Sequence, residues 1–311
     1  MNLTALLNAM PGAIAQGLIW GIMAIGVYIT YKVLDLADLT VDGSMPTGGA
    51  VCVMLILNGV NVWVALLCAV IAGMLAGLLT GVFHTAMGIP PILAGILTQL
   101  SLYSINLAIM EFKANQGINV TKYALIVSQR NVRTAGISNP IFTVLLILAL
   151  LIGVLYWFFG TELGCSLRAT GANEALSRAQ GINTNKAKIL GLMISNGIVA
   201  LSSALLSHYQ GFVDVNMGRG AIVIGLAAVI ISEVVFGKLF RNFALKLMTV
   251  SIGAILYYLV IQAVLWLGMD ANDLKLLTAL VVAVFLGVPY WRSRVLSRTR
   301  TGKGAEKHAE N

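Results

Sequence analysis

The stretch Thr161–Gln210 reads TELGCSLRATGANEALSRAQGINTNKAKILGLMISNGIVALSSALLSHYQ, and its two halves differ in character. From Thr161 to Lys188 it is polar, with Arg168, Arg178, Lys186 and Lys188 set against only Glu162 and Glu174. From Ile189 onward it is largely apolar, close to the ~20 residues that cross a bilayer as a helix. Another long apolar run, 140–160, precedes it. A basic interval between two apolar spans marks a cytoplasmic loop, since Lys and Arg concentrate on that side. The rest of the chain can be counted outward from this loop.

Composition sets the class. Charged residues make up 10% of the 311 residues and hydrophobic ones 59%, with a mean hydropathy of +0.90. Soluble domains carry about 25% charged residues, so a water-facing globule is excluded. The apolar runs are continuous rather than alternating, which excludes a transmembrane β-barrel. The chain is therefore an all-α polytopic membrane protein with about 8–10 transmembrane helices. Spans are expected near 13–34, 43–58, 61–84, 90–111, 140–160, 189–209, 221–236, 249–268 and 273–291. Residues 1–291 then form one transmembrane domain that contains the loop 161–188, and 292–311 form a basic tail. The net charge of +8 lies between and after the spans, so orientation in the bilayer accounts for it and nucleic-acid binding is not implied. Cys52, Cys68 and Cys165 have no metal-ligand spacing, and His84 and His208 are isolated. No basic flank of a cleaved signal peptide precedes the first span, which is expected to be retained.

The tail carries Arg292, Arg294, Arg298, Arg300, Lys303 and Lys307, a cytoplasmic signal. Counting back four spans returns to the cytoplasm at 161–188, and 237–248, with Lys238, Arg241 and Lys246, falls on the same side. Residues 112–139 then lie outside despite Lys113, Lys122, Arg130 and Arg133. The N-terminus also lies outside, provided the second span crosses. That span is preceded by DLADLTVDGSMPTGGA (35–50), with three carboxylates followed by Pro46, Gly48 and Gly49. Irregular backbone at membrane depth persists only inside protein or beside a watery cavity, so a broken or partly re-entrant segment is expected. The span 221–236 is short as well and follows a polar interval, 210–220. Two interrupted segments, one in each half, point to a transport pathway.

Within the loop, GANEALSRAQG (171–181) places Asn173 as an N-cap, Glu174 in the first turn and Gly181 at a helix stop. A helix of that length is too short to stand alone and needs something to pack on. It is either a docking element or a solvated connector. In the spans, Gln99, Tyr103 and Asn106 share one helix face, and Asn196, Ser203, Ser207 and Gln210 have similar spacing. Both stripes are expected to face inward, lining a pathway or bonding neighbouring helices. Asp38 and Asp42 either cap half-helix ends or are interfacial carboxylates. Glu233 is expected to pair with Lys238 or Arg241 at the interface. Asp214 and Asn216, in the outer interval, meet a binding protein or a substrate amine, or are solvated loop residues.

These residues also carry a family resemblance. Gly171-x-Asn173-Glu174-Ala175 followed by Gly181-Ile182-Asn183-x-Asn185-Lys186 resembles the cytoplasmic coupling loop of permease subunits of ABC importers. Ile194–Lys238 and Ala37–Val51 are similar to the branched-chain amino acid and ribose permeases, and the likeness runs from about Gly17 to Leu286. It implies a type II importer-like permease in a bacterial plasma membrane, with a cytoplasmic C-terminus. Gly171, Asn173, Glu174, Arg178 and Gly181 would then lie in a coupling helix seated on an ATP-binding subunit. It further implies an extracytoplasmic substrate-binding lipoprotein and a second permease chain, identical or related. No Gly-rich loop ending in Gly-Lys-Ser/Thr is present, so ATP and Mg are expected on the partner and no cofactor on this chain. The subgroup it most resembles handles aromatic or related amino acids; a sugar or nucleoside remains an alternative cargo. An ion-coupled secondary transporter would need more carboxylates at mid-membrane, and an intramembrane enzyme a catalytic constellation that the spans lack.

Overall fold

The computed structural model describes residues 3–132, 139–237 and 242–268, with scattered residues between 273 and 287. Ten α-helices occupy them: α1 (Leu3–Tyr28, extended by a π-helical turn Ile29–Val33), α2 (Val41–Leu57), α3 (Val62–Thr85), α4 (Pro91–Ile109), α5 (Pro140–Gly160), α6 (Glu162–Ala172), α7 (Glu174–Ala179), α8 (Thr184–Gln210), α9 (Ala221–Phe236) and α10 (Phe243–Trp266). Six segments are long and apolar enough to cross a membrane: Leu6–Val33, α3, α4, α5, α8 and α10. Two more, α2 and α9, are apolar but shorter, and they are the two segments whose sequence is interrupted. The expected ninth span, 273–291, lies largely outside the described residues, as do the tail 292–311 and Arg133. One of its residues, Thr278, accepts a hydrogen bond from the Tyr257 hydroxyl at 3.0 Å.

α8 is the axis of the bundle. Its Ser195 and Ser202 hydroxyls donate to the carbonyls of Gly26 and Ile19, which sets α1 antiparallel beside it. α3 runs antiparallel on another side, where a Cβ at Gly77 would collide with the Leu192 carbonyl; the missing side chain lets the two backbones touch. α2 runs parallel to α8, with Ser44 bonded to Asn196 and Cys52 beside His208. The outer surfaces of α3, α4 and α5 expose Leu67, Leu75, Leu100, Leu146, Leu150 and Trp157. Such a belt matches hydrocarbon rather than water.

These registers sort the connections into two ends. The loop 161–183 and the end of α1 lie together, since Gly171 packs against Val33 and Gly191 against Leu34. At the opposite end, strand β1 (Asn115–Gly117) pairs antiparallel with β2 (Phe212–Asp214). Residues 112–132 therefore lie with 211–220 and away from 161–183, as counting spans requires. The basic residues Lys113, Lys122 and Arg130 do not alter that placement.

The second segment is broken in the expected sense. Residues 34–40 are non-helical and rise from the 161–183 end to the level of Asn196, where α2 begins. Its backbone survives there because polar side chains replace water. Asp38 accepts from the Thr40 amide at 2.9 Å and from the Asn196 side-chain amide at 2.7 Å. Ser44 donates to the other side of Asn196 at 2.6 Å, and Thr40, Thr80 and Thr98 form a hydroxyl chain across α3 and α4. α9 is the counterpart. The chain leaves α8 at Gly211 (φ +80°), and the 211–220 segment then turns back into the bundle. Met217 reaches Ser203, about 10 Å below the end of α8, before α9 starts.

Candidate functional site

Two places bring together residues singled out in the sequence. The first is the polar loop. α6 starts on Thr161, whose hydroxyl accepts from the Gly164 amide. Asn173, extended at φ −160°, stops α6 and caps α7, its side chain accepting from Leu176 N at 3.0 Å. α7 has six residues, about 9 Å of helix, and isolated helices of that size do not persist. Glu174 fastens it: one oxygen pairs with Arg178 and the other with Lys188 on α8, both at 2.8 Å. Arg178 also donates to Thr184 at 3.1 Å. Gly181 turns the chain at φ +85°, and Asn183 then caps α8. Ser177 is buried, whereas Ala175, Leu176, Arg178 and Ala179 face outward.

Gly171 departs from its expected place. It belongs to α6, outside the short helix, and a Cβ there would strike the Val33 carbonyl. The close approach it allows is therefore to the end of α1 in the same chain. Glu233 pairs with Lys32 at 2.9 Å; its expected partners Lys238 and Arg241 lie outside the described residues.

Lys188 is only 12% exposed, so the bond from its ammonium to Glu174 is better shielded than an ordinary surface pair. That hydrogen bond, helped by the nearby Arg178, holds the Glu174 carboxyl below the usual glutamate range. A depressed acid value means that the tie contributes fully above the ordinary range and is lost as pH falls through the lowered value. Acidification through that window is expected to lower the hydrogen-exchange protection of the α7 amides selectively, measured against the intrinsic rate at each pH. In Glu174→Gln the same amides are expected to exchange fast at neutral pH and show no acid step.

The second place is a cavity of about 340 Å³ between α2, α4 and the 211–220 segment. Asp42, Gln99, Tyr103, Asn106 and Arg219 are in its walls. Asp42 accepts from the amides of Gly220 and Ile222, each at 3.0 Å, and so caps the buried start of α9 from the first turn of α2. Asn106 is fully buried; its amide donates to the Gly43 carbonyl at 3.3 Å, and its Oδ1 has no partner. The α4 stripe and Asp42 thus border one cavity.

The α8 stripe does not join them. Asn196 is spent on Asp38 and Ser44, Ser203 contacts the Met217 sulfur at 3.7 Å, and Gln210 sits at the far end of α8. Asp214 and Asn216 are local to the far-end loop, where Asp214 accepts from the Asn216 amide at 2.7 Å. Arg219 was not singled out in the sequence. Its only signal there is that it is the one basic residue of the interval before the short helix α9.

A family model described as the permease component of the branched-chain amino acid transport system matches residues 10–295. The chain belongs to this permease family. The permease is 39% identical over 280 residues to a tyrosine transport system permease protein of Clostridioides difficile, covering 90% of this chain and 91% of that one. It is 24% identical to a ribose import permease of Escherichia coli K12, over 72% and 69% of the two chains. The fold is similar to a chain of PsaBC from Streptococcus pneumoniae in complex with Fab. The TM-score is 0.53 at 16% identity, with 92% of this chain and 95% of that chain covered. Membership of this ABC permease family makes the protein a multi-pass membrane subunit and implies a separate ATP-binding subunit.

Proposed function

We propose that the permease is the pore-forming subunit of an ATP-driven importer that moves an amino acid, most simply an aromatic one, into the cytoplasm. The observation that carries this reading is α7: a capped, outward-facing helix that Glu174 ties directly to α8. Its exposed apolar and basic residues suit a cleft on an ATP-binding subunit, and the Glu174–Lys188 tie gives motion there a path into the bundle axis. Asn173, Glu174, Arg178 and Gly181 shape this element, and Gly171 seats the preceding α6 on the end of α1. Nucleotide chemistry, with ATP and Mg, belongs to the partner, and this chain binds no cofactor of its own.

The opposite end, with Asp214 and Asn216, is the side for a substrate-binding lipoprotein. α4 leaves Gln99, Tyr103 and Ser104 at least partly open on an otherwise apolar helix, which is costly against lipid. A second permease chain covering that side removes the cost and closes a pathway along Asp42, Gln99, Tyr103 and Asn106. Asn196, Ser203 and Gln210 act in this reading as the frame behind it. The membrane is the bacterial plasma membrane, with 161–183 and the C-terminus inside.

The amino acid reading leans on the 39% identity to a tyrosine permease against 24% to a ribose permease. It is tested by screening amino acids, sugars and nucleosides against the partner lipoprotein by thermal shift. Uptake of each hit is then compared in cells with this permease intact or deleted. An aromatic amino acid that stabilises the lipoprotein and enters only with the permease present is the expected result; a neutral sugar in that position would displace the reading.

A further inference from the structure

We propose that Arg219 holds the carboxylate of the transported solute in the cavity between α2 and α4, with Asn106 taking one of its N–H groups. The inference rests on that cavity belonging to the transport pathway. Three observations carry it.

First, Arg219 makes no ion pair among the described residues. Arg219 is exposed, and Asp42, the carboxylate that shares its cavity, is turned to the amides of Gly220 and Ile222 and is not within ion-pair distance of it. A guanidinium at the mouth of a membrane cavity, without a counter-ion among the described residues, favours an incoming anion, and its planar fork fits a carboxylate. Second, Asn106, one of the residues of the same cavity wall, has a fully buried Oδ1 with no partner among the described residues. Such groups are rarely left unmade, so a donor is expected there when the cavity is filled. Third, the cavity is small, about 340 Å³, at the lower end of the ~300–1,000 Å³ usual for small-molecule sites.

A solute that offers one carboxylate and one ammonium meets both unpaired groups at once. A neutral sugar supplies donors for Asn106 but only neutral hydroxyl acceptors, and no anion, for Arg219. The Tyr103 ring and Leu100 add an apolar wall for the solute's side chain. The α9 helix start plays no direct part, because Asp42 already occupies its amides.

The test uses the whole transporter, permease with ATP-binding subunit and binding protein, in proteoliposomes with labelled tyrosine supplied on the binding-protein side. Arg219→Gln is expected to lower ATP-driven uptake roughly ten- to hundredfold, the size expected for a lost charge-assisted contact. Arg219→Lys is expected to retain part of it, and docking of the binding protein is expected to be unchanged in both. Wild-type uptake that Arg219→Gln leaves unaltered would overturn the inference alone. Loss of binding-protein docking or of assembly with the ATP-binding subunit would reassign Arg219 to an interface and overturn it as well. A wild-type transporter that carries a neutral sugar and no amino acid would remove both this inference and the substrate reading beneath it.

Discussion

Asp42→Ala is expected to destabilise the permease by about 2 kcal/mol, because two part-buried backbone amides at the start of α9 lose their acceptor. Asp42 lies in the first turn of α2, yet the groups it satisfies, Gly220 N and Ile222 N, open α9. Neither short helix matches the longer spans, and α9 depends on α2 for the cap at its start. Alanine leaves the part-buried amides of the α9 start without their side-chain acceptor, and only water entering the cavity can replace it. An asparagine side chain keeps one acceptor oxygen, so Asp42→Asn is expected to lose about half as much. Thermal unfolding in detergent, with hydrogen exchange at Gly220 and Ile222, reads both effects. An Asp42→Ala protein that melts with the wild type, its Gly220 amide still protected, would contradict the pairing.

The second large effect separates the two ends of the polar loop. Leu176 is 56% exposed on α7, so Leu176→Asp is expected to leave the fold intact. If α7 seats in a cleft of the ATP-binding subunit, a buried charge there weakens association by roughly tenfold or more. Gly171→Leu is expected to do the reverse. Its side chain has to enter space held by the Val33 carbonyl, an overpacking onto backbone that costs at least ~3 kcal/mol and damages the permease before any partner is involved. Co-purification with the ATP-binding subunit and the melting temperature together distinguish them. Equal loss of stability in both variants would place α7 in the fold rather than at a docking surface.

What could be read from the chain in advance follows the range of the forces. Asn173 was legible as a cap because a cap reaches only to the second or third amide beyond it. The interruptions before α2 and α9 were legible because carboxylates, proline and glycine stand out in an apolar chain. That Asp42 would cap α9 was not, since 178 positions separate it from Gly220. Gly171 was assigned to the short helix because sequence shows that a close approach is needed without showing what approaches. Glu233 was assigned to Lys238 and Arg241 by nearness in sequence, whereas α9 lies parallel to α1 and brings Lys32 beside it. The two polar stripes looked alike, yet only the one on α4 borders the cavity with Asp42 and Arg219. Asn196 on α8 is consumed by Asp38 and Ser44, a distinction set by tertiary neighbours.

The central claim is that force from a separate ATP-binding subunit enters through α7 and moves a solute inward. The most direct measurement is solute accumulation in proteoliposomes that contain the permease and binding protein, with the ATP-binding subunit present, omitted or blocked in hydrolysis. The account predicts accumulation only with the active ATP-binding subunit, and its loss in Leu176→Asp while that subunit still hydrolyses ATP. Undiminished accumulation with the ATP-binding subunit omitted would contradict it.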